Sequence, residues 1–376
     1  MVSEQECYNA LILSRVGFFH LPAILKLLDK MGSATEVVEH SKEIREILPD
    51  ASDRLLALFQ DLDEPKRRAA AEMAFCQEHQ IKVLTMGDEA YPQRLKECAD
   101  APIALFFRGN TDLNAGHVIN IVGTRKVTQY GRDLISRFVS ELRELCPETL
   151  IFSGLAYGVD IVAHRAALEK GFDTIGVLAH GLDEIYPRAH RETAISMIAQ
   201  GGLLTEYFSH TKADKINFVR RNRIVAGCAD ATVIVESAAH GGGLITCGLA
   251  RSYSRDVFAF PGAIGQPYSE GCNNLIRDNG AMLLTSAHDL VKAMGWENTA
   301  LLHRAQKQGI ERTLFPNLSE EELQIVEALH SNGDMQLSPL SVQASLPVAR
   351  LSALLFEMEM KGVVRTLAGG TYHLLG

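Results

Sequence analysis

The sequence lacks several features that would place it in a specialised class of protein. It has no apolar run near the roughly 18 residues of a membrane-spanning helix, and no internal repeat. Its seven cysteines are scattered, odd in number and without a CxxC pair, which argues against a disulfide framework and against a zinc site. The first six residues are acidic and lack the basic-then-apolar layout of a signal peptide. We therefore expect a cytoplasmic protein with no metal and no membrane partner.

An excess of positive charge is also missing, since the net charge is −9, a value that does not favour a nucleic-acid binder. The distribution of charge changes this interpretation. Residues 117–296 hold 18 Lys and Arg against 18 Asp and Glu, so the middle of the chain is neutral and its basic residues are bunched. A small basic patch on a neutral domain can still bind phosphates, because the field near a cleft is local.

Short apolar runs alternate with helical stretches from residue 117 to residue 296, after two strand candidates at residues 81–85 and 101–109. The runs are continuously apolar, without alternating polar residues, and are rich in Val and Ile, as in Val118–Val122 and Thr232–Val235. This pattern is typical of buried parallel strands. Strands that alternate with helices predict an α/β fold with a doubly wound, mostly parallel sheet. Residues 1–80 have helical periodicity throughout, and we predict an all-helical N-terminal domain there. Residues 297–316 show no apolar periodicity and are predicted to be a linker.

The last 60 residues, 317–376, are predicted to form a separate winged-helix domain. Ser319 followed by three glutamates is an N-cap signature, and two further helix candidates follow, the second from Val348 to Met360. Two short strand candidates complete three helices and a hairpin. The third helix carries Arg350 but also Glu357 and Glu359. Because a helix that reads duplex DNA should be basic, we interpret this domain as a protein-interaction or dimerisation module.

Three glycine-containing turns follow strands of the predicted sheet: residues 123–126, residues 153–160 and residues 236–246. Each places glycines and small polar residues at a helix N-terminus, where free backbone N–H groups and the helix dipole can hold an anion. A single turn of this kind needs no explanation beyond chain reversal. Three of them at the carboxyl ends of one sheet favour a phosphate-binding site.

The densest basic stretch is residues 215–227. On a helix, Lys215, Phe218 and Asn222 share one face, and three arginines supply planar donors suited to phosphates. An aromatic ring beside basic residues is typical of single-strand binding, where charge follows the backbone and the ring stacks on a base. The alternative is a solvated helix face with Phe218 in the core.

We find no signature of a known catalytic or nucleotide-binding motif. The turns match neither GxGxxG with its downstream acid nor a Walker loop, and no GxSxG nucleophile motif occurs. Asp160 and His164 are four residues apart and could form a pair, but we favour helix capping and internal hydrogen bonding as their roles.

Taken together in chain order, the motifs resemble the DNA-processing protein A family (DprA, also called Smf). The resemblance is dense over residues 85–296. It is carried by the following segments: Ile121–Lys126, Ser153–Asp160, Ala163-His164, Tyr186-Pro187, Arg221–Gly227, Leu244–Thr246, Phe260–Gly262 and Gly271–Ile276.

This resemblance implies an extended Rossmann-like domain at residues 81–296 and a sterile-alpha-motif or helix-hairpin-helix type of domain at residues 1–80. It implies a non-catalytic, homodimeric protein without a cofactor that binds single-stranded DNA, protects it during natural transformation and helps to load the RecA recombinase. The DNA contacts that it implies are Arg125, Lys126, Ser153, Gly154, Gly158, Lys215, Phe218, Arg221, Asn222, Arg223, Gly242 and Asn274.

Two alternatives remain open at this point. The same layered fold hosts phosphoribohydrolases that act on nucleoside monophosphates. Glu236 with Gly241–Gly243 is weakly similar to their active-site turn. The helical domains could also belong to a scaffold that never contacts DNA.

Overall fold

The computed structural model describes residues 2–296, 318–361, 363–367 and 371–374. Contacts divide the chain into two units, Met1–Leu301 and Leu302–Gly376. The predicted linker, residues 297–316, lies outside the described residues, and the four-part division of the chain stays a prediction.

The first unit begins with a helical segment. Its helices are α1 (Glu4–Val16), α2 (Leu21–Met31), α3 (Ala34–Glu39), α4 (Ile44–Ile47), α5 (Asp53–Gln60) and α6 (Asp63–Glu78). Ser3, Ser33 and Ser52 accept a hydrogen bond from a backbone N–H three residues ahead, which fixes where α1, α3 and α5 begin. The apolar faces of these helices close around Ile103 and Phe106, so the segment packs directly against the sheet.

The rest of the unit is one sheet of nine strands in the described residues. Its strands are β1 (Lys82–Thr85), β2 (Ala104–Gly109), β3 (Val118–Val122), β4 (Leu150–Ser153), β5 (Thr174–Val177), β6 (Gly201–Thr205), β7 (Ala231–Ile234), β8 (Asp256–Ala259) and β9 (Met282–Leu283). The spatial order is β1-β2-β6-β5-β4-β3-β7-β8-β9. Only the β1–β2 and β2–β6 pairings are antiparallel among these strands. The predicted mostly parallel α/β sheet is confirmed.

Helices cover both faces of this sheet. They are α7 (Gln93–Lys96), α8 (Gln129–Leu145), α9 (Val159–Glu169), α10 (Arg191–Ala199), α11 (Lys215–Gly227), α12 (Gly242–Ser252), α13 (Glu270–Arg277) and α14 (Ala287–Ala293). Successive residues of a strand point to opposite faces. Val118 and Val122 therefore pack with α11 and α12, whereas Ile119 and Ile121 pack with α8, α9 and α14.

The strand order creates a crevice beside β3. The chain runs from β3 through β4 and β5 to β6 in one direction, and then returns to place β7 on the other side of β3. At such a reversal the connections after the two central strands lead to helices on opposite faces of the sheet, which leaves a crevice at the carboxyl ends of these strands.

The second unit has the predicted winged-helix arrangement. Its elements are α15 (Glu320–Asn332), β10 (Met335–Gln336), α16 (Leu337–Gln343), α17 (Val348–Met360), β11 (Val364–Leu367) and β12 (Thr371–Leu374). The strands form a sheet in the order β10-β12-β11. Ser319 and Glu322 make a reciprocal capping box at the start of α15.

The cysteines and the apolar helices bear on two of the expectations from the sequence. All seven cysteines are free thiols. Within the described residues, no single helix has both the length and the apolar character needed to cross a membrane; α16 and α17 meet that criterion only as a pair, with a bend of 103° between them.

Candidate nucleic-acid interface

A cleft of about 670 Å³ opens at the carboxyl edge of the sheet, beside the reversal between β3 and β7. The turn after β3 contributes residues 123–125 to its lining, and the turn after β4 contributes Gly154 and Ala156. The turn after β7 contributes residues 241–243, and α11 forms the remaining wall. The three glycine turns and the basic helix therefore meet at one site.

The turns after β3 and β7 are bonded to each other. The backbone N–H of Thr124 donates to the carbonyl of Glu236 at 2.7 Å. The Glu236 carboxylate accepts from the backbone N–H of Thr128 at 2.8 Å and from its hydroxyl at 2.6 Å. A Cβ atom on Gly123 would lie 2.8 Å from the Glu236 carbonyl oxygen, so only glycine allows this approach. The linked turns hold the exposed side chain of Arg125 at the rim of the cleft.

The turn after β4 packs against the same structure. Gly158 has a φ of +81°, and a Cβ atom there would collide with the carbonyl of Thr124. The next backbone N–H, that of Val159, donates to this carbonyl at 3.1 Å. Gly158 therefore shapes the backbone behind the cleft and does not line it, contrary to the DNA contact that the resemblance implied.

A buried arginine lies at the floor of the cleft, near the carboxylate of Asp160. The Arg221 guanidinium is only 4% exposed and donates through Nη1 to the carbonyls of Gly154, at 2.6 Å, and of Val177. Burial lowers the pKa of Arg221, and the charge of Asp160 opposes this shift. Burial likewise raises the pKa of Asp160, and the charge of Arg221 opposes it. Arg221 thus supports the floor of the cleft, and its Nη1 group is engaged by two backbone carbonyls.

An aromatic ring with a cation beside it stands at the rim. Phe218 is half-buried, and the central guanidinium carbon of Arg125 lies 5.2 Å from its ring centre. The ring of Tyr186 lies 5.9 Å away at a tilt of 53°. Lys215, one helical turn before Phe218, is exposed and lines the same wall. The rim therefore combines ring faces for stacking with two exposed cations for phosphates.

The ends of helices add to the positive potential of the cleft. Gly242 and Gly243 are the first residues of α12 and line the cleft with their backbone. The free N–H groups of a first helical turn, together with the helix dipole, favour an anion at this place. Of the carboxylates in the lining, Asp160 faces Arg221, and Asp214 caps α11 by accepting from the N–H of Asn217 at 2.8 Å.

The structure brings about half of the sequence-predicted contacts together. Those that line the cleft with accessible groups are Arg125, Gly154, Lys215, Phe218, Asn222 and Gly242. Their use by DNA stays a prediction.

Two predicted contacts offer no polar group to the cleft, because those groups bind other parts of the protein. Ser153 is fully buried, and its hydroxyl donates to the carbonyl of Ile121 at 2.6 Å. Arg223 points to the opposite side of α11, where it forms an ion pair with Glu206 and donates to the carbonyl of Asp100 at 2.7 Å. The structure does not support a direct DNA contact by either side chain.

Two further predicted residues do not line the cleft. Lys126 is exposed beside Arg125, and its backbone N–H donates to the hydroxyl of Thr124 at 3.1 Å. Asn274 lies in α13, one turn beyond Gly271, the residue whose N–H donates to the Ser237 carbonyl at 2.9 Å.

Tyr186 was missed as a wall residue. It is 49% exposed and comes from the loop before α10, about 30 residues before Phe218 in the chain. In the sequence, Tyr186-Pro187 is only one of the segments that carry the family resemblance, and no periodicity links a loop tyrosine to a distant helix. Only the strand order brings the two rings together.

The geometry argues against the phosphoribohydrolase alternative. Glu236, the candidate active-site acid, is 5% exposed, and both of its carboxylate oxygens accept hydrogen bonds from Thr128. It does not line the cleft. A carboxylate that is held behind the turn in this way is not placed to act on a ligand in the cleft.

Comparisons with known proteins agree with this architecture. The family model described as DNA recombination-mediator protein A matches residues 82–295, and the DprA winged helix domain matches residues 313–370. Protein Smf of Escherichia coli strain K12 is 32% identical over 317 residues, which cover 83% of this chain and 83% of that protein. DNA processing protein DprA of Streptococcus pneumoniae is 39% identical over 204 residues, 54% of this chain and 71% of that protein.

Solved structures show the same likeness. DNA processing protein A from Streptococcus pneumoniae superposes with a TM-score of 0.64 at 32% identity, over 77% of this chain and 98% of that one. DNA processing protein A from Helicobacter pylori, described for its single-stranded DNA binding mode, has a TM-score of 0.52 at 28% identity, over 57% of this chain and 95% of that one. The sheet, the cleft and the winged helix thus occur in a chain that belongs to the DNA recombination-mediator protein A (DprA/Smf) family.

Proposed function

We propose that this chain binds single-stranded DNA, without sequence preference, in the cleft between the turns that follow β3 and β7. The observation that carries the proposal is the placement of Phe218 at the rim, with Arg125 and Lys215 beside it. An aromatic ring at the rim stacks on any base because every base has a π face, and cations bind the phosphates between the bases. The single-stranded DNA binding mode described for the Helicobacter pylori relative supports this assignment.

The glycine turns support binding that ignores sequence. The free backbone N–H groups in the first turn of α12 can bind phosphate oxygens, which are the same in every nucleotide. Only single strands leave their bases free to stack on Phe218. A duplex would present the phosphates without the stacking surface, so we expect weaker binding to double strands.

The test is fluorescence anisotropy with single-stranded and double-stranded oligonucleotides of equal length. We expect tighter binding of the single strand, with a log–log salt slope of about −3 to −4 for roughly four to six phosphate contacts. Binding that does not change with salt, or that favours the duplex, would overturn the proposal.

The proposed cellular role is that of a cytoplasmic mediator, which protects the incoming strand during natural transformation or recombination and helps RecA to assemble on it. Membership of a recombination-mediator family supports this role. In a RecA assay on strands coated with single-strand binding protein, addition of the chain should shorten the lag before ATP hydrolysis. The Phe218→Ala variant serves as the matched control and should leave the lag in place.

We propose no catalytic step. Incubation with nucleoside monophosphates should therefore release no free base, whereas a phosphoribohydrolase would release it. The burial of Glu236 supports this expectation.

We also propose that the chain works as a homodimer. The strand β9 forms one edge of the sheet and pairs only with β8 in the described residues. Met282 and Leu283 in this strand are 40% and 51% exposed, and an unpaired apolar edge favours pairing with a second chain. Sedimentation velocity should show a dimer that the Leu283→Lys variant weakens, while a monomeric wild-type protein at micromolar concentration would contradict the proposal.

A further inference from the structure

The helix α11 borders two cavities, one on each side. Its first side contributes Lys215, Phe218 and Asn222 to the cleft described above. Its other side contributes Arg220 and Arg223 to a cavity of about 500 Å³ between the helical segment and the sheet. Asp214, the N-cap of the helix, lines both cavities, so they approach each other around the N-terminal end of α11.

Two phenylalanines form the outer wall of the second cavity. Phe18 and Phe19 lie in the tight turn Gly17–Phe19 between α1 and α2, and their rings meet edge to face with centres 4.9 Å apart. Phe18 is 38% exposed and Phe19 is 69% exposed. Two adjacent rings of this size would stabilise the fold if they were buried, so their exposure points to a use at the surface. Phe19, the more exposed of the two, therefore keeps ring surface open to a ligand in addition to its contact with Arg220.

Arg220 covers these rings. Its central guanidinium carbon lies 4.6 Å from the ring centre of Phe18 and 5.1 Å from that of Phe19. The other two arginines that line the cavity are paired, Arg15 with Glu64 and Arg223 with Glu206. Within the described residues, Arg220 forms no ion pair with a carboxylate. Its charge is free to meet an anion at the mouth of the cavity.

The interior of the cavity, in contrast to its mouth, carries carboxylates. Asp100, Glu206 and Asp214 line it, and each already accepts a hydrogen bond from a protein donor. Glu206 is neutralised by Arg223, whereas Asp100 and Asp214 form no ion pair within the described residues and repel a phosphate that enters the interior. A planar, uncharged group can enter and stack on the rings while its attached phosphate stays outside near Arg220. This combination of features fits a nucleotide of a single strand.

We propose that the Phe18–Phe19–Arg220 cluster is a second base-binding site, which a single DNA strand reaches by passing around the N-terminal end of α11 from the first cleft. The proposal rests on the proposed function, since it needs a strand in that cleft. A helix with its side chains is about 10–12 Å across, so several further nucleotides must lie between the two sites. The cluster therefore acts only on strands that are longer than the first cleft can hold.

Strand length separates the two sites experimentally. Wild-type protein, Phe19→Ala and Arg220→Gln are titrated with labelled oligo-dT of about 6 and about 20 nucleotides, which bracket the sizes of known single-strand sites. We expect Phe19→Ala to weaken binding of the long strand at least fivefold, the lower end of the loss for one stacked base, and to leave the short strand unchanged. Phe19→Trp should restore binding, because it keeps a ring face.

Leu58→Ala is the matched control. Leu58 is 39% exposed in the same helical segment, close to the exposure of Phe18, and lines neither cavity. Thermal unfolding of each variant shows whether the fold is kept, and Phe19 is exposed enough that we expect no change.

The outcomes distinguish this inference from the proposed function. Equal binding of the long strand by wild-type protein and Phe19→Ala would overturn the second site, and so would an equal loss for both lengths. If Phe19 were needed to bind free dTMP but had no effect on the long strand, the cavity would be a mononucleotide site. That result would overturn the proposal that one strand passes through both sites. If wild-type protein bound neither oligonucleotide, the proposed function itself would fail.

Discussion

The guanidinium of Arg125 lies over the ring of Phe218, with its central carbon 5.2 Å from the ring centre. Arg125 belongs to the turn after β3, whereas Phe218 belongs to the first turns of α11. The carboxyl edge of the sheet brings them together at the rim of the cleft. The pair offers two separable contributions to DNA binding, stacking by the ring and charge by the guanidinium.

Replacement of Phe218 by alanine should weaken single-stranded DNA binding by about 1–3 kcal/mol, because one stacked base loses its platform. The salt slope should stay nearly unchanged, since no phosphate contact is lost. Anisotropy titrations at several salt concentrations measure both quantities. Circular dichroism provides the control: if Phe218→Ala unfolds the domain, the ring is part of the core and the stacking role is wrong.

Replacement of Arg125 by alanine should reduce the magnitude of the salt slope by about 0.7, the contribution of one phosphate contact on a single strand. Lys170→Ala makes the same change in net charge at the far end of α9, away from the cleft, and should leave the slope as it is. A slope that changes equally in both variants would indicate a general charge effect and not a contact by Arg125.

Much of the fold follows from short patterns in the sequence. Val118–Val122 was predicted as a strand with the bounds that the structure has, and Val348–Met360 as a helix likewise. Buried parallel strands are apolar on both faces, which makes such runs visible without any knowledge of their partners. The strand order was not visible, because pairing depends on contacts between residues that are distant in the chain.

The arginines of α11 show why the site was harder to predict. Neighbouring residues on a helix point about 100° apart, so Arg220, Arg221 and Arg223 cannot all face one cleft. Which side each one takes depends on how the helix packs against the sheet. In the structure Arg221 lies under the floor and Arg223 pairs with Glu206, and neither outcome can be inferred from a dense run of positive charge.

Arg221 should matter for stability more than for direct contact with DNA. Arg221→Met removes the charge that opposes the burial of the Asp160 carboxylate, which is 8% exposed, and leaves the carbonyls of Gly154 and Val177 without their donor. Loss of a partner that leaves a buried polar group unpaired costs about 1–3 kcal/mol. Urea unfolding measures this loss, and the double variant Asp160→Asn, Arg221→Met should recover part of it. Unchanged unfolding together with lost DNA binding would show that Arg221 contacts DNA after all.

His164 should make the fold less stable in mild acid. Its Nδ1 lies 2.7 Å from the Thr174 hydroxyl, which itself donates to the Ile151 carbonyl, so Nδ1 carries the proton and donates. Its Nε2 is buried and has no hydrogen-bond partner among the described residues. Burial lowers the pKa of His164 from its ordinary value of 6.5 to about 3. Below pH 6.5 the unfolded chain therefore binds a proton at His164, whereas the folded chain binds it only when the pH approaches 3.

It follows that the stability contribution of neutral His164 is complete above pH 6.5 and is lost as the pH falls toward 3. At pH 4.5 the loss should be about 2–3 kcal/mol. Burial raises the pKa of Asp160 and of Glu206, which acts in the opposite direction, so the comparison is between wild-type protein and His164→Gln. Urea midpoints that fall in parallel for both proteins between pH 7 and pH 4.5 would contradict the prediction.

Deletion of residues 317–376 should leave single-strand binding largely intact. These residues hold three Lys and Arg against seven Asp and Glu, a balance of −4 that repels a phosphate backbone. The basic residue of α17 is also engaged, since Arg350 forms an ion pair with Glu321 at 2.6 Å. Leu351, Leu354 and Met358 of this helix pack inside the second unit, so the deletion removes a hydrophobic core that belongs to that unit. Anisotropy with oligo-dT measures the effect, and a hundredfold loss of affinity in a truncated protein that stays folded by circular dichroism would make the winged helix a direct DNA contact.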